Sequence, residues 1–328
     1  MFKNIANGFS IMGKAIQFFL RNPKSIVPIL IAWGLYTPLI IYLQFNFAFT
    51  SLTLVEAMVF LFLVVFFTSL LTGLASLSLL SLIEQKETTG RMQLIPAFKK
   101  AYTRDFFRSV PILFFWAVIQ FVILFIELLA KAAKNSGKNS NRSRTVFSME
   151  NVVRRSSTDK SRVVDVLKRG IRMGVMLMLP AVAWENMGPF RATRRGLGIY
   201  KNRITTMLTG VALSTAVHAI VFLPPGIMII LSDSVTGGFP EFAWFLMFLY
   251  IGFAWSFGIL IEQLFTAELY LWYHAWEEAS DRAAAAGEPQ PRFADVKKPS
   301  FIHSVSHIAL FDYHERKHEE KQGVPNPV

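Results

Sequence analysis

Apolar runs alternate with basic stretches along the whole chain, and the alternation predicts a set of membrane helices. The apolar segments occupy residues 26–49, 57–83, 110–130, 174–184, 204–231 and 242–276. A helix needs about 20 mainly apolar residues to cross a hydrocarbon core of roughly 30 Å. The first, second, third, fifth and sixth segments meet that length. The fourth is short, and extending it through residues 163–171 takes in Asp165, Lys168 and Arg169. The fold class expected is all-α: a polytopic transmembrane helical bundle of about six membrane segments with amphipathic interfacial helices. The first segment reads as an anchor and not as a cleavable signal, being too long and lacking a small-residue cleavage site.

A second pattern recurs three times: an amphipathic basic helix, a polar turn, then a membrane helix. In the first copy Phe2, Ile5, Phe9, Met12, Ile16 and Phe19 form one apolar stripe, with Lys3, Lys14, Gln17 and Arg21 off it. In the second, Leu94, Phe98, Ala101 and Tyr102 oppose Lys99, Lys100 and Arg104. In the third, Phe190, Thr193, Leu197 and Tyr200 oppose Arg191, Arg194 and Arg195. Such helices suit either a lipid interface, with cations toward anionic headgroups, or packing on the protein's own bundle. Small residues predict close helix contacts along Thr72, Gly73, Ala75, Ser76 and Ser78, and along Gly210, Ala212, Ser214 and Ala216. Pro224, Pro225 and Gly226 predict a kink or break near the outer end of the fifth segment.

Charge turns this pattern into a topology. The 34 Lys and Arg fall in five groups of four, six, twelve, five and seven, bounded by residues 3–24, 86–108, 131–172, 191–203 and 282–321. The connections 45–56 and 232–241 carry none, so both read as extracytoplasmic turns. The N-terminus, residues 86–108, residues 191–203 and the tail read as cytoplasmic. Residues 131–172 break the rule, with twelve basic residues against Glu150, Asp159 and Asp165. Either the third and fourth segments both cross, or neither does; the length of the third favours two crossings, and the side of the loop stays open. The domains expected are a helical membrane domain over residues 1–276, with a basic flexible loop at 131–172, and a polar cytoplasmic tail over 277–328.

Composition narrows the function classes. The chain is 53% hydrophobic and 17% charged, with a net charge of +12, and its mean hydropathy is +0.40. Soluble domains carry about 25% charged residues. With Cys 0, disulfide frameworks and thiolate chemistry are excluded. The positive charge flanks helix entrances, so it points to anionic lipid and not to nucleic acid.

Three runs carry a family resemblance: QKETTGRMQLIPAFKKAY over residues 85–102, LMLPAVAWENMGPFRATRRG over 177–196, and AELYLWYH over 267–274. Together they resemble a widespread group of bacterial six-helix integral membrane proteins of uncharacterised function. That group is distantly like the membrane domain associated with glycerophosphodiester phosphodiesterases. The resemblance spans about residues 1–276. It implies a polytopic α-helical fold and two crossings for the third and fourth segments, and no activity.

Ionisable residues inside membrane segments are the places to look for chemistry. Glu127, near the end of its segment, reads as snorkelling to the interface. His218 lies about 22 Å into the fifth segment from Arg203, and Glu262 about 31 Å along the sixth from Glu241, which predicts different depths. Glu262, Gln263 and Glu268 are expected to pair with Arg194, Arg195 or Arg203, joined by Glu185. His218, Glu262, Gln263, Glu268 and Glu185 are thus the candidate intramembrane polar site, with a structural ion-pair role favoured. In the tail, His314, Glu315 and His318 match a zinc-protease spacing, but two cations intervene and the match reads as chance. His303, His307, His314 and His318 would share one helix face within about 60°, a weak metal candidate outweighed by a solvated amphipathic helix. Arg154 and Arg155 before Ser156 and Ser157 suit a basophilic kinase only at chance level.

The expected function is a non-enzymatic integral membrane protein of the bacterial cytoplasmic membrane. It would engage anionic lipid, or protein partners, through basic cytoplasmic-face helices, with both termini cytoplasmic. The alternative is a transporter or lipid-handling protein with a polar site between the fifth and sixth segments. No cofactor, catalytic residue or nucleic-acid partner is expected.

Overall fold

Thr53 opens the longest early helix with a capping box. Its hydroxyl accepts from the Glu56 amide at 3.3 Å, and the Glu56 carboxylate accepts from the Thr53 amide at 2.8 Å. Gly90, at φ 70°, closes the same helix in the left-handed conformation that favours glycine. Between these caps Leu54–Thr89 runs unbroken, because its interior lacks proline and its apolar side chains circle the whole helix.

The computed structural model describes residues 2–45, 53–136, 162–232 and 239–296, and no strand occurs among them. The helices are α1 Phe2–Arg21, α2 Val27–Phe45, α3 Leu54–Thr89, α4 Leu94–Lys100, α5 Phe106–Ser136 and α6 Arg162–Met176. They continue as α7 Leu179–Ala183, α8 Pro189–Asn202, α9 Ile204–Val221, α10 Leu223–Ser232 and α11 Glu241–Ala285. Five stretches are long and apolar enough to cross a membrane: Pro23–Leu43, Val55–Lys86, Leu94–Glu127, Ile204–Val221 and Phe242–Ala285. The protein is therefore an all-α polytopic membrane bundle. The fifth segment divides between α9 and α10 at Phe222, just before Pro224 and Pro225, as their missing amide hydrogens require.

The fourth segment differs from these five. The short fourth segment is not one straight helix. It is the C-terminal end of α6, a bend at Leu177 and Met178, and the short α7. This stretch is buried, with Met173, Leu177, Ala181 and Val182 fully enclosed. Its far end is pinned near α3 and α4. Lys100 Nζ donates to the Ala183 carbonyl at 3.0 Å, Trp184 Nε1 to the Leu80 carbonyl at 3.1 Å, and Arg104 Nε to Asn186 Oδ1 at 3.1 Å. Its near end meets Glu127 through Lys168, at 2.5 Å. Glu127 is 21 residues along the chain from Phe106, about 31 Å of helix. The α6–α7 segment thus runs back antiparallel beside α5.

Two boundaries move as a result. The expected loop at 131–172 is helical at both ends, since α5 continues to Ser136 and α6 begins at Arg162. Residues 137–161, which include the sites suited to a kinase, lie outside the described residues. The bundle also continues past residue 276. Helix α11 extends to Ala285, and Phe293 returns to pack on Trp272, with ring centroids 4.0 Å apart. Most of the tail, with His303, His307, His314 and His318, lies outside the described residues.

Small residues set the closest helix contacts. A Cβ on Gly73 would lie 2.3 Å from Leu113 of α5, and one on Gly210 2.3 Å from the Phe265 ring of α11. Ala212 and Ala216 point away from the bundle, because two residues on a helix turn a side chain about 200° from its neighbour. Replacing Gly210 with Ala is expected to cost about 1–3 kcal/mol by overpacking. Gly34→Ala, where nothing lies within 4 Å, should be neutral or slightly stabilising through helix propensity. Thermal unfolding of the detergent-purified protein separates the two, and equal effects would contradict the α9–α11 packing.

Candidate functional site

Helices α9 and α11 lie antiparallel, and their contacts define one register. Asn202 Nδ2 donates to the Tyr273 hydroxyl at 3.2 Å, Gly210 faces Phe265, and His218 faces Gly258. Within that register Ser214 reaches Glu262, its Oγ donating to Oε1 at 2.7 Å. His218 Nδ1 is 4.0 Å from the same oxygen. The two residues expected at different depths are therefore neighbours. Counting residues from opposite ends of two helices of unequal length does not fix their register, whereas close approach at glycine does. Side chains also lean toward the N-terminus of their own helix, so on antiparallel helices His218 and Glu262 converge.

Glu262 is fully buried, and its main partner comes from α6. Arg172 Nε donates to Oε2 at 2.6 Å and Nη2 to Oε1 at 2.7 Å, the two-pronged geometry that guanidinium and carboxylate share. Arg169 Nη1 stands 4.0 Å from Oε1. His218 Nδ1 lies 2.8 Å from the Ser214 carbonyl. A carbonyl only accepts, so the ring carries its proton on Nδ1. His218 Nε2 faces Gly258, where an added Cβ would fall within 2.0 Å of it.

The arginines expected to serve Glu262 are engaged elsewhere. Arg195 Nη1 donates to Glu277 Oε1 at 2.7 Å, and its Nη2 is 3.7 Å from Glu185 Oε1. The Tyr270 hydroxyl donates to that same Glu185 oxygen. Burial disfavours the charge on Arg195, but Tyr270, Glu185 and Glu277 outweigh it and hold the guanidinium above its ordinary range. Arg203 stacks over Phe293 at 3.6 Å and Trp276 at 5.0 Å, and burial lowers its pKa. Arg194 is exposed. The candidate residues therefore separate into two clusters, Glu262 with His218 and Glu185 with Tyr270. Gln263 Nε2 donates to the Met176 carbonyl at 3.4 Å, and Glu268 is buried farther along α11. Glu127 does not snorkel free; it holds Lys168 and keeps only 14% side-chain exposure.

Arg172 has a second outlook. It lines a cleft of about 270 Å³ between α2, α3, α5, α6 and α11. Tyr36 and Trp255 contribute aromatic walls, Thr68, Ser69 and Thr72 a hydroxyl edge, and Trp116 and Gln120 the side given by α5. Sequence reasoning missed Arg172, Ser214 and Trp116. The available signal was the need of a lone carboxylate on an apolar helix for a cation, with Arg172 on the strongly amphipathic α6 as a supplier.

Removing Arg172 alone leaves a buried carboxylate without its cation, a change that typically costs about 3–5 kcal/mol. Arg172→Met is expected to lower the unfolding temperature sharply, and the double variant Arg172→Met/Glu262→Leu to recover most of the loss. A double variant no more stable than the single would contradict the ion pair as the organising contact. Comparisons with protein-family models, with curated proteins and with solved structures give no match.

Proposed function

We propose that this is a non-enzymatic integral membrane protein whose basic helices engage anionic lipid headgroups at one face of the membrane. One observation carries the reading. Helix α4 buries Ala97, and α8 buries Ala192, Gly196 and Ile199. Several of their large apolar side chains turn outward, Ile95 being 83% and Phe190 82% exposed. Exposed Lys99, Arg191 and Arg194 stand beside them. This is an acyl-facing surface rimmed by cations, the chemistry of an interfacial helix. Phe190, Leu197 and Tyr102 are exposed, as the lipid-interface alternative for these stripes requires. Helix α1 buries Met12, Ala15 and Phe18, while Leu20 is 71% exposed.

In this reading α4 and α8 lie at the cytoplasmic face of a bacterial inner membrane, both termini are cytoplasmic, and kinship is with the six-helix bacterial group that the chain resembles. A second reading, a transporter or lipid-handling protein, draws on the Arg172–Glu262 pair opening onto a cleft.

Each basic residue near an anionic surface contributes about 1 kcal/mol. The triple variant Lys99→Gln/Arg191→Gln/Arg194→Gln is expected to lower the ratio of anionic to zwitterionic lipid copurifying from native membranes about five- to tenfold. Its unfolding temperature should not move, since all three side chains are exposed. An unchanged lipid ratio would sink the proposal.

A further inference from the structure

The cleft beside Arg172 has a one-sided polar character. Its two strongest polar groups are donors. The Arg172 guanidinium carries five N–H groups and spends two of them on Glu262. The Trp116 indole N–H, which only donates, has no hydrogen-bond partner among the described residues, although Trp116 is 4% exposed. No acidic residue lines the cleft. Glu262 lies behind Arg172, its oxygens held by Arg172 and Ser214. Thr68 and Thr72 donate their hydroxyl protons to carbonyls of their own helix, Val65 at 3.0 Å and Thr68 at 2.8 Å.

A buried indole N–H without a partner is destabilising, and a guanidinium at the same wall supplies charge. A group that accepts from both and is itself negative offsets that cost. A cation has no carboxylate to meet here. The volume, about 270 Å³, is at the small end for ligand pockets, which run to about 300–1,000 Å³. It suits a headgroup or a small anion and excludes a whole lipid.

We propose that this cleft binds a phosphate- or carboxylate-bearing group of headgroup size, with the Arg172 guanidinium and the Trp116 indole N–H as its donors. Glu262 acts as a positioning residue, fixing the guanidinium plane from behind so that its remaining N–H groups face the cleft. The site is distinct from the outer basic helices and stands whether or not they bind lipid.

The anion has two sources, a lipid headgroup or a free solute, and calorimetric titration of the detergent-purified full chain distinguishes them. The probes are dihexanoyl phosphatidic acid, inorganic phosphate and dihexanoylglycerol, which has the same tails and no charge. Arg172→Gln is the obvious variant, but loss of the ion pair can unfold it. Trp116→Phe keeps most of the ring, removes only the N–H, and is the deciding variant. Saturable binding of phosphatidic acid, weakened about tenfold in Trp116→Phe at an unchanged unfolding temperature, is the expected result. If inorganic phosphate binds with the same dependence on Trp116, the site takes the free anion as well. Equal binding of dihexanoylglycerol, no binding of either anion, or wild-type affinity in Trp116→Phe would each overturn the proposal.

Discussion

A carboxylate sealed inside an apolar bundle is the constraint on which the rest of this structure depends. Glu262 is fully buried, and an ionised carboxylate in such a place costs several kcal/mol unless it is paired and hydrogen-bonded. Arg172 and Ser214 complete its shell. That requirement explains how α6, a helix carrying Arg162, Lys168, Arg169 and Arg172, packs beside α5, α9 and α11. Lys168 finds Glu127, and Arg172 and Arg169 find Glu262. Charges that argue against burial of the fourth segment are what dock it there.

The ion pair works only because the helix register is fixed independently. Gly210 and Gly258 let α9 and α11 approach to within contact of Phe265 and His218, which brings Ser214 level with Glu262. Polar and packing specifications thus agree, and the agreement of local choices is what gives a sequence one fold. The same arrangement leaves Arg172 facing two ways, toward a carboxylate behind it and a donor-lined cleft in front.

The helical bundle was legible in the sequence because long apolar runs are local signals. Pro224–Pro225 marked the break between α9 and α10, whereas the caps of α3 at Thr53, Glu56 and Gly90 went unread. The site was legible only in part. His218 and Glu262 stand out as polar residues in apolar segments, but their adjacency depends on inter-helix register, which residue counting cannot supply. Arg172 was hidden because its helix reads as part of a basic loop.

The antiparallel course of α6 beside α5 has a consequence for topology: the end of α5 at Ser136 and the start of α6 at Arg162 lie at the end of the bundle opposite the α3–α4 turn. The chain has no cysteine, so single cysteines report cleanly. Cysteines introduced at Ser140 and at exposed Thr88 are expected to react with an impermeant maleimide from opposite sides of the membrane in intact and permeabilised cells. Reaction of both from the same side would contradict a basic helix that returns through the bundle to meet Glu262.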